Sequence, residues 1–377
     1  MRASGRFAVE RARERVEALA RAGHDTAGFA QALVEVLQPL VPHAAACVVT
    51  TDPATGLVTG TYKLGALAGH HDLDAEWARL EYETDDPTRL LVVGGQAVPA
   101  RAASQLPGGP EGSVRIRELV GPGGYGDELR MVARRDSASW GGVNLFRAAG
   151  DRPFDADEVL LVAELSEAVA AGLQAALVAG WGRCGPAEAP AGPTVLVVDR
   201  ADRVQRVSAG AGDLLADLTA EANRSPLESL VHGLAAAARR FARGDRSAPP
   251  WARLRSPSGR WLVAHAVPLT AQDGLTGEVA VTIDEARPPE VVPLVAAALG
   301  LTAREREVTA LVLAGAGTKA IARALGVSPY TVQDHLKSIF DKAGVRTRAE
   351  LVARVFFDQY APRFGGELTP GGWFASG

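Results

Sequence analysis

Apolar residues recur along the chain at two spacings, every second residue in short runs and every three to four in longer ones, which predicts alternating strands and helices. Between 25 and 178 this pattern predicts a helix, a hairpin, a mixed segment, a second hairpin and a closing helix. The first hairpin turns at DPATG, and the second joins ELRMVARRD to SWGGVNLFRAAG. The run FDADEVLLVAELSEAVAAGLQAALVAG predicts one long helix with Asp155 as its N-cap.

A charged helix is predicted over 6–22, within an N-terminal segment 1–24. Val9, Ala12, Val16 and Leu19 recur in it at spacings of three, four and three residues. Such a stripe fits a helix packed on the body of the protein, and it also fits a short coiled-coil contact between two copies. Two heptads are few for a coiled coil, which favours packing on the body.

A second α+β domain is predicted over 194–286. TVLVVDRADRVQRVS predicts two strands around a turn, a helical middle follows, and WARLRSPSGRWLVAHAVPL with GEVAVTIDEA predicts three more strands. The Gly- and Pro-rich run AGWGRCGPAEAPAGP predicts a linker over 179–193. RPPE marks a second linker over 287–300.

Four helices are predicted in the segment 301–363, before a flexible tail at 364–377; their ranges are 303–314, 318–325, 329–343 and 347–357. Each begins at a capping signal: two Thr-x-x-Glu capping boxes, a Ser-Pro pair or a lone threonine. The residues concerned are Thr302 with Glu305, Thr318, Ser328 with Pro329, and Thr347 with Glu350.

The second and third of these helices, joined by GVS, predict a helix-turn-helix. The apolar face of the third helix is expected to pack on the first two, through Val332, Leu336, Ile339 and Phe340 against Val308, Ile321 and Leu325. The opposite face presents Gln333, Asp334, Lys337, Ser338 and Asp341. A helix with one packed face and one polar face is what enters the major groove of DNA in this motif.

Charge is unevenly distributed along the chain. The whole sequence has a formal net charge of −4, yet residues 301–363 hold ten Lys or Arg against six Asp or Glu. Three of the four lysines lie in that segment. A basic module on an acidic body fits contact with a polyanion such as nucleic acid.

Composition indicates the cellular compartment and argues against disulfide and zinc sites. The chain has two cysteines, Cys47 and Cys184, and no CxxC pair. Neither a disulfide framework nor a structural zinc site is therefore expected, and a reducing cytoplasm is the expected compartment. The N-terminus is too charged for a signal peptide. The apolar segment 155–181 carries three glutamates, so a membrane contact is not expected.

From residue 301 the chain resembles the LuxR-type DNA-binding domain. The resemblance rests on LTAREREV, GAGTKAIARALGVS, TVQDHLKSIFDK and RTRAEL, in that order. It implies a four-helix domain that binds an inverted-repeat site on double-stranded DNA as a homodimer. It places Gln333, Asp334 and Lys337 at base-reading positions. It implies phosphate contacts for Lys319, Thr331, Ser338, Arg346 and Arg348, and a dimer contact for Leu351, Val352 and Val355.

The two α+β domains resemble sensor modules. Residues 25–178, with WGGVNLFRAAGDRPFDADEVLLVAEL near their end, are similar to a GAF domain, and residues 194–286, with SPSGRW between strands, are similar to a PAS domain. The expected fold class is therefore α+β sensor domains with antiparallel sheets, followed by an all-α LuxR-type helix-turn-helix domain. The resemblance implies a small-molecule or protein ligand, and no cofactor is indicated.

These features predict a one-component transcriptional regulator whose sensor domains control DNA binding. GxxxxGK[ST] is absent, and Lys63 is the sole lysine before residue 300, which argues against an ATP-hydrolysing regulator and a phosphoacceptor receiver. The alternative is an adaptor or anti-activator with weakened DNA binding, favoured by Asp334 and the acidic total charge. An enzyme is not expected, because no catalytic constellation is present.

Three other motifs have ordinary interpretations. His335 lies at the inward edge of the third helix and is expected to pack or form a local hydrogen bond rather than act in catalysis. GPGGYG, at 121–126, neither follows a clear strand nor enters a helix, which favours a loop over a phosphate site. His70, His71 and Asp72 are expected to be exposed rather than to bind a metal.

Asp334 is an acidic residue where the third helix should meet a polyanion. Two roles remain open for it. The carboxylate would accept a hydrogen bond from a cytosine amino group, or it would pair with Lys337 or Lys342 and lower non-specific affinity. Both roles make Asp334 the first residue at which to test specificity.

Overall fold

The structure is a computed structural model that describes residues 3–179, 192–219, 226–245, 249–272 and 274–357. In these ranges the chain forms two five-stranded antiparallel sheets with helices, followed by a helical C-terminal segment. The tail predicted over 364–377 and most of the linker predicted over 179–193, with Cys184, lie outside the described residues.

The elements are numbered in chain order. The helices are α1 (Ala3–Arg21), α2 (Thr26–Leu37), α3 (Asp74–Tyr82), α4 (Leu90–Gly94), α5 (Ala156–Glu164), α6 (Ser166–Val178), α7 (Gly212–Leu218), α8 (Pro226–Ala242), α9 (Pro288–Ala298), α10 (Ala303–Leu313), α11 (Thr318–Leu325), α12 (Pro329–Ala343) and α13 (Arg348–Val352). The strands are β1 (Ala45–Thr51), β2 (Val58–Gly65), β3 (Ala100–Ala102), β4 (Tyr125–Arg135), β5 (Ala138–Ala148), β6 (Thr194–Val198), β7 (Val204–Val207), β8 (Trp251–Arg255), β9 (Trp261–Ala271) and β10 (Gly274–Glu285).

The first sheet has the strand order β2-β1-β5-β4-β3, with antiparallel neighbours throughout. Both hairpins predicted in this part of the chain are confirmed, and GPGGYG forms the turn that leads into β4. Helices α2 and α6 cover one face, where Phe29 and Leu173 share a buried cluster with Val48 and Val143 of the sheet. This face holds the main apolar core of the protein.

The closing helix predicted as one element is two, α5 and α6, which meet at an angle of 44°. The Ser166 hydroxyl accounts for the bend, because it donates to the Val132 carbonyl at 2.7 Å and accepts from the Arg134 N–H at 3.0 Å. The β4–β5 register shifts there, which leaves those two backbone groups for Ser166. The predicted N-cap Asp155 is confirmed and accepts from the Glu158 N–H at 2.9 Å.

Within the described ranges, no single helix is long and apolar enough to cross a bilayer. Length and composition would allow a span only if the bent pair α5–α6 were counted as one helix. Its apolar residues instead lie largely in the main core, among them Val162, Val169 and Leu173.

Helix α1 packs on the body of the protein, as one of the two interpretations of its apolar stripe predicts. Val9, Ala12 and Val16 are buried, and Ala12 and Val16 belong to the same core as α6. Leu19 is partly buried against that core. The apolar stripe of α1 therefore packs against the core of its own chain.

The other face of the first sheet carries paired charges. Three ion pairs lie there with little exposed side-chain surface, Arg115–Glu128, Arg130–Glu81 and Lys63–Asp74. Lys63 also donates to the His70 carbonyl, and His71 Nδ1 lies 3.5 Å from Asp74 Oδ2. Of the predicted exposed trio, His70 and Asp72 are exposed and His71 is half-buried. No group of three or more His, Cys, Asp or Glu able to hold a metal occurs among the described residues.

The second sheet repeats the topology of the first, with the order β7-β6-β10-β9-β8. Two strands, helices and three strands follow one another as the sequence predicts. Helix α8 covers one face, and its Leu230 and Leu234 share a buried cluster with Leu262 and Val281 of the sheet. Tyr82 of α3 belongs to the same cluster, so the two sheets and their helices pack together.

The predicted linker 287–300 contains a buried helix, α9. Two prolines occupy its first turn, where a missing N–H costs nothing, so RPPE begins a helix here. Leu294 and Val295 are buried in the main core, and Gln174 Nε2 of α6 donates to the Ala297 carbonyl at 3.3 Å. Helix α9 is therefore part of the body and leads directly into the C-terminal helices.

A buried ion pair joins the two sheets. Asp52, at the end of β1, accepts three hydrogen bonds from Arg253 of β8, from Nη2 at 2.7 Å and from Nε and the backbone N–H at 2.8 Å each. Asp52 also accepts from the Ala54 N–H. Arg253 Nη1 donates to the Glu290 carbonyl of α9 at 3.0 Å. One guanidinium therefore contacts both sheets and α9.

Replacing Asp52 with alanine is expected to lower the free energy of unfolding of the body by about 3–5 kcal/mol, because Arg253 would remain buried without its partner charge. Urea unfolding followed by tryptophan fluorescence measures this loss. The matched control is Asp85→Ala, which removes an exposed partner of Arg240 and should cost far less. Equal losses for the two variants would contradict the structural role assigned to Asp52.

Candidate nucleic-acid interface

The four helices predicted after residue 301 are present. Helices α10, α11 and α12 have bounds within one residue of those predicted. The fourth is shorter, since α13 ends at Val352 and the chain continues as a five-residue π-helical turn, Ala353–Phe357.

The capping signals set these bounds, with one exception. Thr302 and Glu305 form both hydrogen bonds of a capping box, and Ser328 accepts from the Thr331 N–H at 3.1 Å. The prediction that Thr318 caps α11 is wrong, because Gly317 is the N-cap. The Thr318 hydroxyl instead accepts from Arg348 Nη2 at 3.1 Å.

The second predicted capping box is half formed. Thr347 accepts from the Glu350 N–H at 3.1 Å, but the Glu350 carboxylate accepts from the Arg346 N–H rather than from Thr347. Glycines end the two preceding helices, with φ of 65° at Gly326 and 64° at Gly344. These left-handed positions let the chain turn sharply, first between α11 and α12 and then after α12.

The predicted apolar face of α12 is confirmed. Val332 and Ile339 are fully buried in one cluster with Val308 of α10 and Ile321 of α11. The other residues predicted for this contact, Leu336, Leu325 and Phe340, are buried or partly buried in the same cluster. This packing turns the opposite side of α12 towards solvent.

Glu305 fixes α12 on α10. Its buried carboxylate accepts from Ser338 Oγ at 2.6 Å, from Lys342 Nζ at 2.6 Å and from the Thr302 N–H at 2.7 Å. Burial alone would raise the pKa of Glu305, but the hydrogen bonds from Lys342, Ser338 and Thr302 outweigh it and lower the pKa to about 2. The first helix and the third are thus joined by a charged and hydrogen-bonded contact.

Two arginines complete the polar framework of this segment. Arg304 Nη2 donates to the Leu325 carbonyl at 2.6 Å, which joins α10 to the end of α11. Arg348 Nη1 donates to the Ala316 carbonyl at 2.8 Å, which joins α13 to the loop before α11. Both contacts satisfy carbonyls outside the helical hydrogen-bond ladder.

The three predicted base-reading residues lie together on the solvent side of α12. Gln333, Asp334 and Lys337 are all exposed, and within the described ranges none of them forms a side-chain hydrogen bond or an ion pair. The ion pair with Lys337 or Lys342, one of the two roles left open for Asp334, is therefore not formed. Lys342 is drawn instead to the buried carboxylate of Glu305, which offers a stronger partner than an exposed aspartate.

The predicted phosphate-contacting residues fall into two groups. Lys319 and Arg346 are exposed, and Thr331 is half-buried at the start of α12. Ser338 and Arg348 point their polar atoms inward, to Glu305 and to the loop before α11. Because Gly317 supplies no side-chain cap, the N–H groups of Thr318 and Lys319 have no acceptor among the described residues, whereas Ala320 already donates to the Gly317 carbonyl.

The predicted dimer residues differ in exposure. Leu351 is fully buried in the core shared by α10, α11 and α12, so its side chain stabilises this segment itself. Val352 and Val355 are only partly buried at the edge of that core. Two of the three predicted residues therefore keep surface for a partner.

One exposed aromatic residue was not predicted to contribute to the interface. Tyr330, the second residue of α12, is 79% exposed and stands beside the exposed N-terminal end of the helix. The sequence does carry a signal for this exposure. An aromatic residue directly after a Ser-Pro cap lies outside the apolar face that the helix periodicity predicts, so it is expected to face solvent. A tyrosine there can contact a phosphate or a base edge.

Neither His335 nor Cys47 is set up for acid–base or nucleophilic chemistry. His335 is half-buried at the flank of α12, and its ring has no hydrogen-bond partner within the described residues. Burial raises the pKa of the Cys47 thiol to about 11, so the group is held as a neutral thiol at neutral pH. Neither residue stands in a triad-like arrangement.

Comparison with known proteins points to the same C-terminal segment. Residues 299–355 match the family model described as "Bacterial regulatory proteins, luxR family". The chain is 50% identical over 56 residues to the monoamine regulon transcriptional regulator of Klebsiella aerogenes, which covers 15% of this chain and 25% of the relative. It is 49% identical over 51 residues to an HTH-type transcriptional regulator of Aeromonas salmonicida, covering 14% and 26%.

These matches concern a limited part of each protein. The alignments span about a quarter of the length of the curated relatives. Among solved structures, a Vibrio cholera VqmA–ligand–DNA complex is 26% identical over 28% of this chain and 53% of its own, with a TM-score of 0.17. A TM-score of that size does not establish a common arrangement of the whole chains.

Glu305→Gln is expected to lower the free energy of unfolding of the C-terminal helices by about 1–3 kcal/mol, because the bonds from Lys342 and Ser338 lose a charged acceptor. The folded-state pKa of Glu305 lies below its usual value of 4.5, so its stabilisation is fully present above about pH 4.5 and is lost as the pH falls towards 2. The difference between wild type and variant should therefore shrink below pH 4.5. Urea titrations followed by the NMR signals of α12 amides measure it.

Glu307→Gln is the matched control for this prediction. Glu307 lies on the same helix and pairs with Arg304, but its side chain is 53% exposed. Its substitution should change stability little and leave the pH dependence intact. A Glu305 variant indistinguishable from the Glu307 variant would contradict the role assigned to Glu305.

Proposed function

We propose that this protein is a DNA-binding transcriptional regulator whose C-terminal helix-turn-helix, within 301–363, reads the major groove of an inverted-repeat site as a homodimer. The observation that carries the proposal is the exposed side of α12, where Gln333, Asp334 and Lys337 have no partner among the described residues, in a segment that matches the luxR family model. The curated relatives, named as transcriptional regulators, support it through the same segment. A cytoplasmic location accords with this function.

Gln333, Asp334 and Lys337 are proposed to read bases. They occupy one side of α12 at spacings of one and three residues, so all three reach towards the same few base pairs. A glutamine pairs with adenine, a lysine with guanine and a carboxylate with the amino group of cytosine. Because none of the three is engaged inside the protein, binding would not first have to break an internal contact.

Phosphate contacts are proposed for Lys319, Arg346 and Thr331, with Tyr330 added on the ground of its exposure. Lys319 lies at an N-terminus without a side-chain cap, and Tyr330 and Thr331 lie at the start of α12. Helix N-termini and cations are the usual partners of phosphate groups, and such contacts fix the register of the protein on DNA. Ser338 and Arg348 would contribute only after leaving Glu305 and the Ala316 carbonyl.

A homodimer contact is proposed through Val352 and Val355 of the last helical turns. These residues are partly buried at the rim of the C-terminal core, whereas Leu351 lies inside it. A two-fold contact at this end would set the spacing between two α12 helices, and that spacing would in turn select the distance between half-sites.

The body is proposed to be a sensor composed of a GAF-like domain at 25–178 and a PAS-like domain at 194–286. The support is that both sheets follow the same strand order, second-first-fifth-fourth-third, with a helix layer on one face. Helix α9 would transmit a change in the body, because its residues belong both to the main core and to the C-terminal core.

A protein-interaction adaptor with weakened DNA binding is the second candidate. Asp334 favours it, since an exposed carboxylate without an ion-pair partner in the described residues repels a polyanion. The two functions differ in a simple property. The adaptor would show no sequence-selective affinity for duplex DNA at any salt concentration.

Gln333→Ala and Lys337→Ala are each expected to weaken binding to a duplex selected from a random pool by about 1–3 kcal/mol, because each removes a direct base contact. Lys319→Ala should instead weaken binding to all duplexes alike and make the dependence on salt less steep. Fluorescence anisotropy with the selected duplex and a scrambled duplex separates the two effects.

Arg323→Ala is the control for those variants, since Arg323 is an exposed cation of α11 at a position with no predicted DNA contact. It should change affinity for both duplexes much less than the other three substitutions. Uniform losses on both duplexes for Gln333→Ala and Lys337→Ala would contradict base reading by α12.

Asp334→Ala is expected to raise affinity for random DNA, because it removes a negative charge from the surface that faces the phosphates. The same variant measured on the selected duplex tests the base-reading role, since the ion pair of Asp334 with Lys337 or Lys342 is not formed. Weaker binding on the selected duplex alone would assign base reading to Asp334. An unchanged affinity for random DNA would contradict the electrostatic part of the account.

A further inference from the structure

A cleft of about 200 Å³ lies between the two sheets, outside the C-terminal segment. It is bounded by the start of α2, the ends of β1 and α6, the β8–β9 turn and one residue of α9. Its walls carry the apolar and aromatic residues Tyr62, Trp140, Leu173, Leu177 and Leu294. The proposed function assigns sensing to the body but does not say where a ligand would bind, and this cleft is the candidate.

Trp140 gives the cleft an unpartnered donor. The residue is 4% exposed and lines the cleft, yet its indole N–H has no hydrogen-bond acceptor among the described residues. Tryptophan N–H groups usually pair with an acceptor, and a molecule bound in the cleft would offer one.

The hydroxyl groups of Thr50 and Thr59 provide a second polar position. Their oxygen atoms lie 3.0 Å apart, and both residues line the same cleft. One hydroxyl donates to the other, which leaves lone pairs on both oxygens for a further donor. A molecule in the cleft can therefore meet polar groups contributed by β1, β2 and β5, with an apolar wall beside them.

The two guanidinium groups that line the cleft are already hydrogen-bonded within the protein. Asp52 and Arg253 saturate one another through three hydrogen bonds. Arg255 donates to the carbonyls of Leu177 and Ala179, at 3.2 and 2.7 Å. An anionic ligand would give up its hydration where both guanidinium groups are already bonded and Asp25 adds a negative charge to the lining, which disfavours it.

We propose that this cleft binds a small amphipathic molecule that carries a hydrogen-bond acceptor and no negative charge. Its volume is below the 300–1,000 Å³ of pockets for drug-sized ligands, which limits the ligand to metabolite size. The molecule would touch both sheets and Leu294 of α9 together, so its binding reaches the helix that leads to the C-terminal segment. This inference deepens the sensor role in the proposed function and rests on it for biological meaning.

The test uses the full chain labelled with 5-fluorotryptophan, with the Trp140 signal assigned by its absence in Trp140→Phe. Nicotinamide serves as the uncharged probe and nicotinate as its charged counterpart of nearly equal size. Nicotinamide is expected to shift the Trp140 fluorine signal saturably in the millimolar range, and nicotinate at least about tenfold more weakly, because its carboxylate finds no free counter-charge.

Two variants locate the binding. Ala176→Leu places a larger side chain on the wall of the cleft and should abolish the shift. Thr50→Val keeps the shape but removes a hydroxyl, and should weaken binding about two- to tenfold. Thr282→Val, on β10 outside the cleft, is the control and should leave binding unchanged.

The proposal is overturned if nicotinamide gives no saturable shift, if nicotinate binds equally well, or if both cleft variants retain wild-type affinity. If Ala176→Leu does not fold, the affinity of Thr50→Val for nicotinamide decides whether the cleft is the binding site. The fluorine signal is read without DNA, so failure here leaves the proposed DNA binding intact. Loss of DNA binding, conversely, would leave the assignment of the cleft unaffected.

Discussion

The hydrogen-bonded pair between Arg253 and Asp52 is the contact on which the arrangement of the body depends. It joins Asp52, the residue after β1, to β8, and the same guanidinium donates to the carbonyl of Glu290 in α9. Two desolvated charges are tolerated only where their geometry satisfies both, and here every Asp52 oxygen accepts from two groups. This contact holds the residue after β1, strand β8 and the start of α9 together beside the cleft.

Helix α9 extends that constraint to the C-terminal segment. Leu294 and Val295 are buried in the main core, and Ala296, one residue further on, belongs to the C-terminal core with Leu301. A helix buried in two cores cannot shift in one without disturbing the other, since interiors are closely packed. This gives the proposed sensor a physical connection to α12, whose own position depends on Glu305.

Local signals in the sequence predicted much of this structure. Capping residues such as Ser328 and Asp155, and the apolar face of α12 around Val332, are determined by neighbours within one or two turns. Both sheets and the order of their elements were also accessible from periodicity. The exposed trio on α12 followed from the same periodicity, whereas its base-reading role is implied by resemblance and stays a prediction.

Contacts between distant segments could not be predicted in this way. Arg253 and Asp52 are 201 residues apart, and no local pattern marks either as a partner. The bend at Ser166 depends on a register shift in β4. Lys342 forms its ion pair with the buried carboxylate of Glu305 rather than with Asp334. Helix α9 was missed because two prolines end a helix in one context and begin one in another.

The most direct test of the central claim is the salt dependence of DNA binding by the full chain. At low salt the protein is expected to select duplexes from a random pool, and the logarithm of its binding constant should fall linearly with the logarithm of salt concentration. A slope steeper than about −4 is expected if five or more phosphates are neutralised. The absence of duplex binding even at about 50 mM salt would contradict the account and favour the adaptor.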